Sequence, residues 1–176
     1  KLSTLAKIVR VNAEANMQNL VPDEYILEKN RELMNNEIVL FESNLSKLNT
    51  SINILNEQIK QKENELKENE AKLIILRNSH LLLTKEIDIK KVLVHDKIIS
   101  EVDFLQLKRR YNDTDLELKN TQSMIPILNS SIAELYENIE DAKEKYKNDA
   151  KNQIVESYSK LQTIEPLADS HKKPII

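Results

Sequence analysis

The chain has 176 residues, with no Gly, no Cys and no Trp, four Pro, 31% charged residues and a net charge of −3. Because Gly is the residue that adopts positive φ angles without steric cost, its absence argues against phosphate-cradling loops and sheets joined by tight turns. A slightly acidic chain also lacks the basic face that nucleic acid requires, and no apolar run approaches the ~18 residues of a membrane span.

Residues 1–18 are predicted to form a short amphipathic helix. Apolar side chains recur there at steps of three and four residues, at Leu2, Leu5, Val9, Ala13 and Met17. Pro22 disfavours helical geometry at the residue before it, so residues 19–23 are predicted to form a loop. Asp23 then supplies the acidic group that is typical of a helix start.

Two long runs of heptad-spaced apolar residues follow, and they predict a helix over 24–90 and another over 101–165. The first run is Met34, Ile38, Phe41, Leu45, Leu48, Ile52, Leu55, Ile59, Leu66, Leu73, Leu76, Leu83 and Ile87. The second run is Phe104, Leu107, Tyr111, Leu118, Ile125, Leu128, Ile132, Leu135, Ile139, Ala142 and Tyr146. Pro166 is expected to end the second helix, leaving an irregular tail over 166–176.

The segment between the two runs, 91–100, is short enough to form only a tight turn, so the long helices are predicted to be antiparallel neighbours. The register that pairs Leu76 with Leu118 and His80 with Thr114 sets apolar positions opposite each other along both helices. A shift by one heptad leaves either an apolar residue in the turn or no room to turn. The predicted fold is all-α: a single domain, 1–176, that is a long antiparallel two-helix coiled-coil hairpin with a short additional N-terminal helix.

Two irregularities interrupt the heptads. After Tyr146 the spacing slips to successive four-residue steps, a stutter that locally unwinds a coiled coil. This change predicts that the N-terminal helix packs beside the base of the hairpin as a third helix. Pro126 removes a helix hydrogen bond, and Lys62 and Asn69 are polar core positions near it in the predicted register. These three residues form either a hinge or a harmless imperfection.

No catalytic or metal-binding constellation is present in the sequence. The three His, at 80, 95 and 171, lie far apart, and no HExxH or Gly-x-Ser-x-Gly motif occurs. His80 is interpreted as a tolerated or hydrogen-bonded core residue rather than a pH switch, and His95 with Asp96 as a solvated pair in the turn. The sequence therefore predicts a non-enzymatic protein without cofactor or metal.

Residues 92–135, the turn and the start of the second long helix, resemble the α-hairpin of the hemolysin D-like membrane fusion (periplasmic adaptor) proteins of type I secretion. The most specific parts are the turn with its Ile-Ser step and the segment Met-Ile-Pro-Ile-Leu at 124–128. The upstream KLSTLAKIVRVNAEAN, residues 1–16, is similar to the first helix of that family. Because the chain begins with Lys1 and shows no signal peptide, we expect it to be a fragment of a longer protein.

The resemblance implies a hairpin that stands in the periplasm and meets a TolC-like outer-membrane channel through its tip. The full-length protein would be anchored in the inner membrane, contact an ABC transporter there, assemble as a hexamer, and continue beyond 166–176 into a lipoyl-like and barrel domain. The alternative is a generic coiled-coil spacer or tether of another assembly, because heptads alone fit it equally well.

The predicted channel-binding residues form what we call the tip patch, which consists of Ile89, Leu93, His95, Asp96, Lys97 and Ser100. Related adaptors carry the pattern Arg-x3-Leu-x6-Ser at this place. Leu93 and Ser100 match its last two positions, whereas Ile89 replaces the Arg. Ser100 is also expected to cap the second long helix, with Asp103 as a capping-box-like partner.

Overall fold

The computed structural model describes the backbone of residues 1–169 and the side chains of residues 1–163. The helices are α1 (Leu2–Ala15), α2 (Glu24–Lys29), α3 (Arg31–His95) and α4 (Glu101–Asp169), and no strand occurs in the described part of the chain. The two long helices, of 65 and 69 residues, form an antiparallel hairpin. The predicted all-α hairpin with a short N-terminal helix is confirmed.

The predicted boundaries of the first two helices are corrected by local backbone geometry. The first helix ends at Ala15, not at residue 18, because Met17 adopts a φ of 53° and closes the helix. The predicted helix over 24–90 is two helices, since Asn30 has an extended backbone with φ −159° and ψ 89°. The side chain of Asn30 then accepts a hydrogen bond from Leu33 N–H at 3.2 Å and so caps α3.

The long helices also extend further than predicted. The third helix continues to His95, beyond the predicted end at residue 90, because no helix-breaking residue precedes the turn. The fourth helix continues through Pro166 to Asp169. One proline removes a single helix hydrogen bond, and α4 also stays helical through Pro126. The remainder of the predicted tail, 170–176, lies outside the described residues.

The chain divides into two compact units, of which the first comprises Lys1–Leu55 and Glu137–Ile176. Its helices pack through two apolar clusters. One cluster contains Ala6, Ile26 and Met34, and the other contains Val11, Ala15 and Ala150, with Ile154 packed against it. The predicted packing of the N-terminal helix against the region of the stutter is thus confirmed. Small side chains such as Ala6 and Ala150, 0% and 1% exposed, let the helices approach closely.

The second compact unit comprises Asn56–Tyr136 and consists of the facing parts of α3 and α4 with the turn between them. Leu76 and Leu118 lie in one buried cluster. His80 Nε2 lies 3.2 Å from Asp115 Oδ1, next to the predicted partner Thr114, and a shift of one heptad in either direction would separate the two side chains. These contacts confirm the predicted register. No helix in the described residues combines the length and hydropathy that crossing a membrane requires.

Candidate functional site: the hairpin tip

The turn that closes the hairpin has a defined backbone conformation. Lys97 adopts a φ of 56°, and its N–H donates to the Val94 carbonyl at 3.0 Å. The next N–H, of Ile98, donates to the Leu93 carbonyl at 2.8 Å. This pair of bonds is a Schellman motif, in which Gly usually occupies the left-handed position. The chain has no Gly, so Lys97 adopts the conformation at an energetic cost.

Ser100 starts the returning helix, as predicted. Its Oγ accepts a hydrogen bond from Val102 N–H at 3.1 Å, and its carbonyl accepts one from Phe104 N–H at 3.2 Å. Glu101 and Asp103 add negative charge to the first turn, where it complements the helix dipole. The tip is therefore capped on both sides: α3 ends in the Schellman motif and α4 begins at an N-cap.

The tip patch combines exposed polar groups with apolar ones. His95 Nδ1 lies 3.2 Å from Asp96 Oδ1, and their side chains are 89% and 54% exposed, so this pair is solvated. Leu93 is half-buried, whereas Ile89 is 65% exposed on α3 before the turn. Among the described residues, no group of three or more His, Cys, Asp or Glu is placed to hold a metal ion.

Two exposed apolar residues at the tip were missed in the sequence analysis. Val92 and Val102 are 59% and 61% exposed, and Ile98 in the turn is 67% exposed. Both valines lie outside the heptad core positions, and the heptad pattern could therefore have predicted that they face solvent. The surface at the tip is therefore more apolar than the six residues of the tip patch alone.

Two of the three proposed hinge residues have partners within their own helix. Lys62 Nζ forms an ion pair with Glu65 at 2.8 Å, and Asn69 Nδ2 donates to the Glu65 carbonyl at 2.8 Å. Both polar core residues thus bond within their own helix. Pro126 lies within the continuous α4, and its role as a hinge stays a prediction.

His80 lies in the seam between α3 and α4, near a carboxylate. Its buried Nε2 is 3.2 Å from Asp115 Oδ1 but lacks the alignment of a hydrogen bond. Asp115 instead accepts a bond from Lys119 Nζ at 2.7 Å, and this bond is the main reason why the pKa of Asp115 is lowered. His80 is thus a tolerated seam residue whose Nε2 has no hydrogen-bond partner in the described chain.

A polar network in the first compact unit was not predicted. Arg10, 5% exposed, donates from Nη1 to Glu14 Oε1 and Oε2 at 3.0 and 2.8 Å. It also donates from Nε to Glu37 Oε2 at 2.6 Å and from Nη2 to Gln153 Oε1 at 3.2 Å. Burial lowers the pKa of Arg10, but the bonds to Glu37 and Glu14 outweigh it, so the pKa is raised. The guanidinium therefore stays charged and ties α1 to both long helices.

Asn44 extends this network, and Tyr146 lies beside it without a hydrogen bond to it. Glu14, 3% exposed, also accepts from Asn44 Nδ2 at 3.0 Å. The buried hydroxyl of Tyr146 has no hydrogen-bond partner in the described chain. Burial, and then the Glu14 carboxylate, raise the pKa of Tyr146 to about 12, against the opposing effect of Arg10.

Comparison with known proteins gives two findings. The model of the family described as AprE, long alpha-helical hairpin, matches residues 1–172. The soluble domain of LipC, described as a membrane fusion protein of a type I secretion system, shares the fold with a TM-score of 0.82 and 18% sequence identity. That similarity covers 99% of this chain and 88% of the LipC chain. No protein with a curated description matches the sequence significantly.

Proposed function

Because the chain belongs to the AprE long α-helical hairpin family, we propose that it is the hairpin domain of a membrane fusion protein in a type I secretion system. The hairpin stands in the periplasm as part of a protein anchored in the inner membrane. It links an inner-membrane ABC transporter to a TolC-like outer-membrane channel, and it acts as an adaptor rather than an enzyme. The tip carries the contact with the channel.

The observation that supports this role best is the structure of the turn. A Schellman motif at Lys97 and an N-cap at Ser100 hold the tip in one backbone conformation. A pre-organised surface loses little conformational entropy on binding. The exposed side chains around the turn include the charged Asp96 and the apolar Ile98. They suit a partner surface that also combines charged and apolar groups.

The replacement of Arg by Ile89 shapes the proposed docking. An Arg at this place would offer charge-assisted hydrogen bonds to the channel. Ile89 is 65% exposed and lies in the same apolar surface as Val92, which is 59% exposed. We therefore expect docking here to use apolar contact with Ile89 and polar contact with His95, Asp96 and Lys97.

One tip is too small for tight binding, since stable interfaces usually bury about 800 Å² on each partner. A hexamer would present several tips to one channel, and each further contact would then be intramolecular. Oligomerisation is therefore an expected part of the docking mechanism.

The test is charge reversal at the tip of the full-length adaptor. We expect Lys97→Glu to lower both secretion and tip-to-channel crosslinking by about tenfold, corresponding to roughly 1.4 kcal/mol of lost contact. The matched control is Lys60→Glu, an equal charge reversal at an exposed α3 position outside the tip. Leu93→Asp probes the apolar part of the patch. If the Lys97→Glu protein keeps its helicity and secretes like the Lys60→Glu protein, the tip is not the docking site.

A further inference from the structure

Exposed cations gather at one level of the hairpin in the second compact unit. In the register that pairs Leu76 with Leu118, one residue of α3 lies level with three consecutive residues of α4. All four are exposed, and we call them the cationic belt: Lys85, Lys108, Arg109 and Arg110. The belt lies about 15 Å along α3 from the end of that helix at His95, so it is distinct from the tip patch.

The belt is the centre of a positively charged zone in a slightly acidic chain. Residues 85–91 and 103–110 together contain six cations and three carboxylates, whereas the whole chain has a net charge of −3. One of these carboxylates, that of Glu86, forms an ion pair with Lys90 at 2.8 Å. The hydrogen bond from Lys90 is the main reason why the pKa of Glu86 is lowered, and Arg110 contributes less. Glu86 is therefore engaged by Lys90 and does not neutralise the belt.

The belt cations also lack the ion pairs that lysines form farther from the turn. Lys72 pairs with Glu117 across the seam at 2.6 Å, and Lys119 pairs with Asp115 at 2.7 Å. Among the residues whose side chains the structure describes, no carboxylate forms an ion pair with any of the four belt residues. Four neighbouring like charges without such partners repel one another, and an anionic partner would relieve this repulsion.

The belt surrounds the hairpin instead of lying on one face. Lys108 and Arg110 border different grooves between α3 and α4, on opposite faces of the helix pair. Lys85 and Arg109 occupy the heptad position that points away from the partner helix. A flat surface can touch only one side of such a rod. A partner that contacts the whole belt must therefore enclose the hairpin at this level.

We propose that the cationic belt binds an acidic protein surface that encloses the end of the hairpin, and that this surface is the periplasmic mouth of the outer-membrane channel. The inference rests on the proposed function and extends it, because the hairpin then enters the mouth as far as the belt, about 15 Å, instead of touching its rim alone. Complementary charges at that depth fix the position of the two partners and speed their association.

An anionic membrane also attracts cations, but the end of the hairpin argues against it as the partner. Residues 92–103 carry three exposed carboxylates, those of Asp96, Glu101 and Asp103, and a single cation, Lys97. A membrane in contact with the belt would meet these carboxylates first, and its negative surface potential would repel them. A protein can instead place acidic groups at the level of the belt and other groups beyond it.

Charge reversal on both helices of the full-length adaptor tests the belt. We expect Lys85→Glu combined with Arg109→Glu to lower secretion and crosslinking of the adaptor to the channel by about tenfold. Both residues are exposed and lie outside the seam, so the hairpin should fold, which circular dichroism checks. Lys85→Arg combined with Arg109→Lys keeps both charges and should leave secretion within about twofold of its original level.

The matched control is Lys67→Glu combined with Lys145→Glu. It makes the same change of charge at two exposed positions, one on each long helix, outside the positively charged zone. Binding of the purified adaptor to the purified channel should weaken about tenfold between roughly 0.05 and 0.5 M NaCl, because salt screens the attraction. The control variant should show the same salt dependence, whereas the variant with the reversed belt should show little.

Photocrosslinking tests the depth and the identity of the partner. A photoreactive residue in place of Gln106, an exposed position beside the belt, should crosslink to the channel. The same residue in place of Gln122, exposed and about 24 Å farther along α4, should not.

Several results would overturn the proposal. Lipid adducts at Gln106 would mean that the belt contacts a membrane, and equal yields of channel adduct at Gln106 and Gln122 would mean that the contact is not centred on the belt. Secretion at the level of the Lys67 and Lys145 control would mean that the belt does not bind the channel. If Lys97→Glu lowers secretion while reversal of the belt does not, the belt is wrong and the adaptor role stands. If reversal of the belt lowers crosslinking to the channel while Lys97→Glu has no effect, the tip proposal alone fails.

Discussion

Substitution of Arg10 is expected to release α1 from the long helices. Arg10→Met keeps an unbranched apolar side chain but removes the donors to Glu14, Glu37 and Gln153. Glu14 would then remain 3% exposed with only Asn44 as a donor. A buried charge that loses its partner is costly because it has left water without compensation.

The magnitude follows from this burial. Removal of one partner of a buried ion pair lowers the free energy of unfolding by roughly 3–5 kcal/mol. Local detachment of α1 would return Glu14 to water and so limit this loss. We therefore expect Arg10→Met to lower the free energy of unfolding by about 3 kcal/mol. Arg10→Met combined with Glu14→Leu should recover part of this loss, to within about 2 kcal/mol, because it removes the most buried charge but still leaves Glu37, 14% exposed, without its partner. Together with the single variant Glu14→Leu, these two variants close a double-mutant cycle that measures the coupling of the two side chains.

Urea unfolding followed by circular dichroism gives the global stability, and hydrogen exchange of the α1 amides reports its local opening. The control is Lys160→Met, which breaks the exposed i, i+4 ion pair with Glu156, with side chains 60% and 55% exposed, and should cost under about 0.5 kcal/mol. If Arg10→Met costs no more than Lys160→Met, the network does not hold α1. If the double variant is as unstable as Arg10→Met, the stabilisation does not come from pairing.

Three further changes have expected outcomes. Lys97→Gly should raise the free energy of unfolding by up to about 1 kcal/mol in urea titrations, whereas Lys85→Gly within α3 should lower it by about 1 kcal/mol. The raised pKa of Tyr146 favours the protonated phenol in the folded state, so its stabilisation is complete below pH 10.0 and is lost as the pH rises toward about 12. Tyr146→Phe should remove that loss in alkaline unfolding curves, whereas Tyr136→Phe, 51% exposed, should not. Pro126→Ala should stabilise the chain by roughly 1–3 kcal/mol, and unchanged secretion in this variant would contradict a hinge.

The hairpin and its register could be predicted because both depend on a heptad repeat that can be recognised in the sequence alone. Heptad apolar residues must face a partner helix, and the short turn leaves one register that pairs them, as Leu76 with Leu118 illustrates. The N-cap at Ser100 was likewise predictable, since its hydroxyl acts on nearby N–H groups of the same chain.

The buried face of α1 was predicted less well. A one-sided amphipathic pattern placed Met17 inside, but Met17 is 42% exposed, while Arg10 and Glu14 are 5% and 3% exposed. The helix packs against two neighbours instead of one, and the partners that neutralise Arg10 are as distant in sequence as Gln153. The spacing of residues within α1 carries no information about those distant partners. A buried charged residue of α1 therefore cannot be distinguished from a solvated one by its sequence position.

The position of the turn at Lys97 also leads us to expect a particular order of folding. Contacts across the seam near the turn, such as His80 with Tyr111, are close in sequence, whereas Arg10 and Gln153 are separated by 143 positions. The entropy lost in closing a loop grows with its length, so we expect pairing of the long helices to start at the turn and proceed along the hairpin, and the contacts of α1 with α4 to form last. Substitutions near the turn should therefore slow refolding, whereas loss of Arg10 should mainly accelerate unfolding.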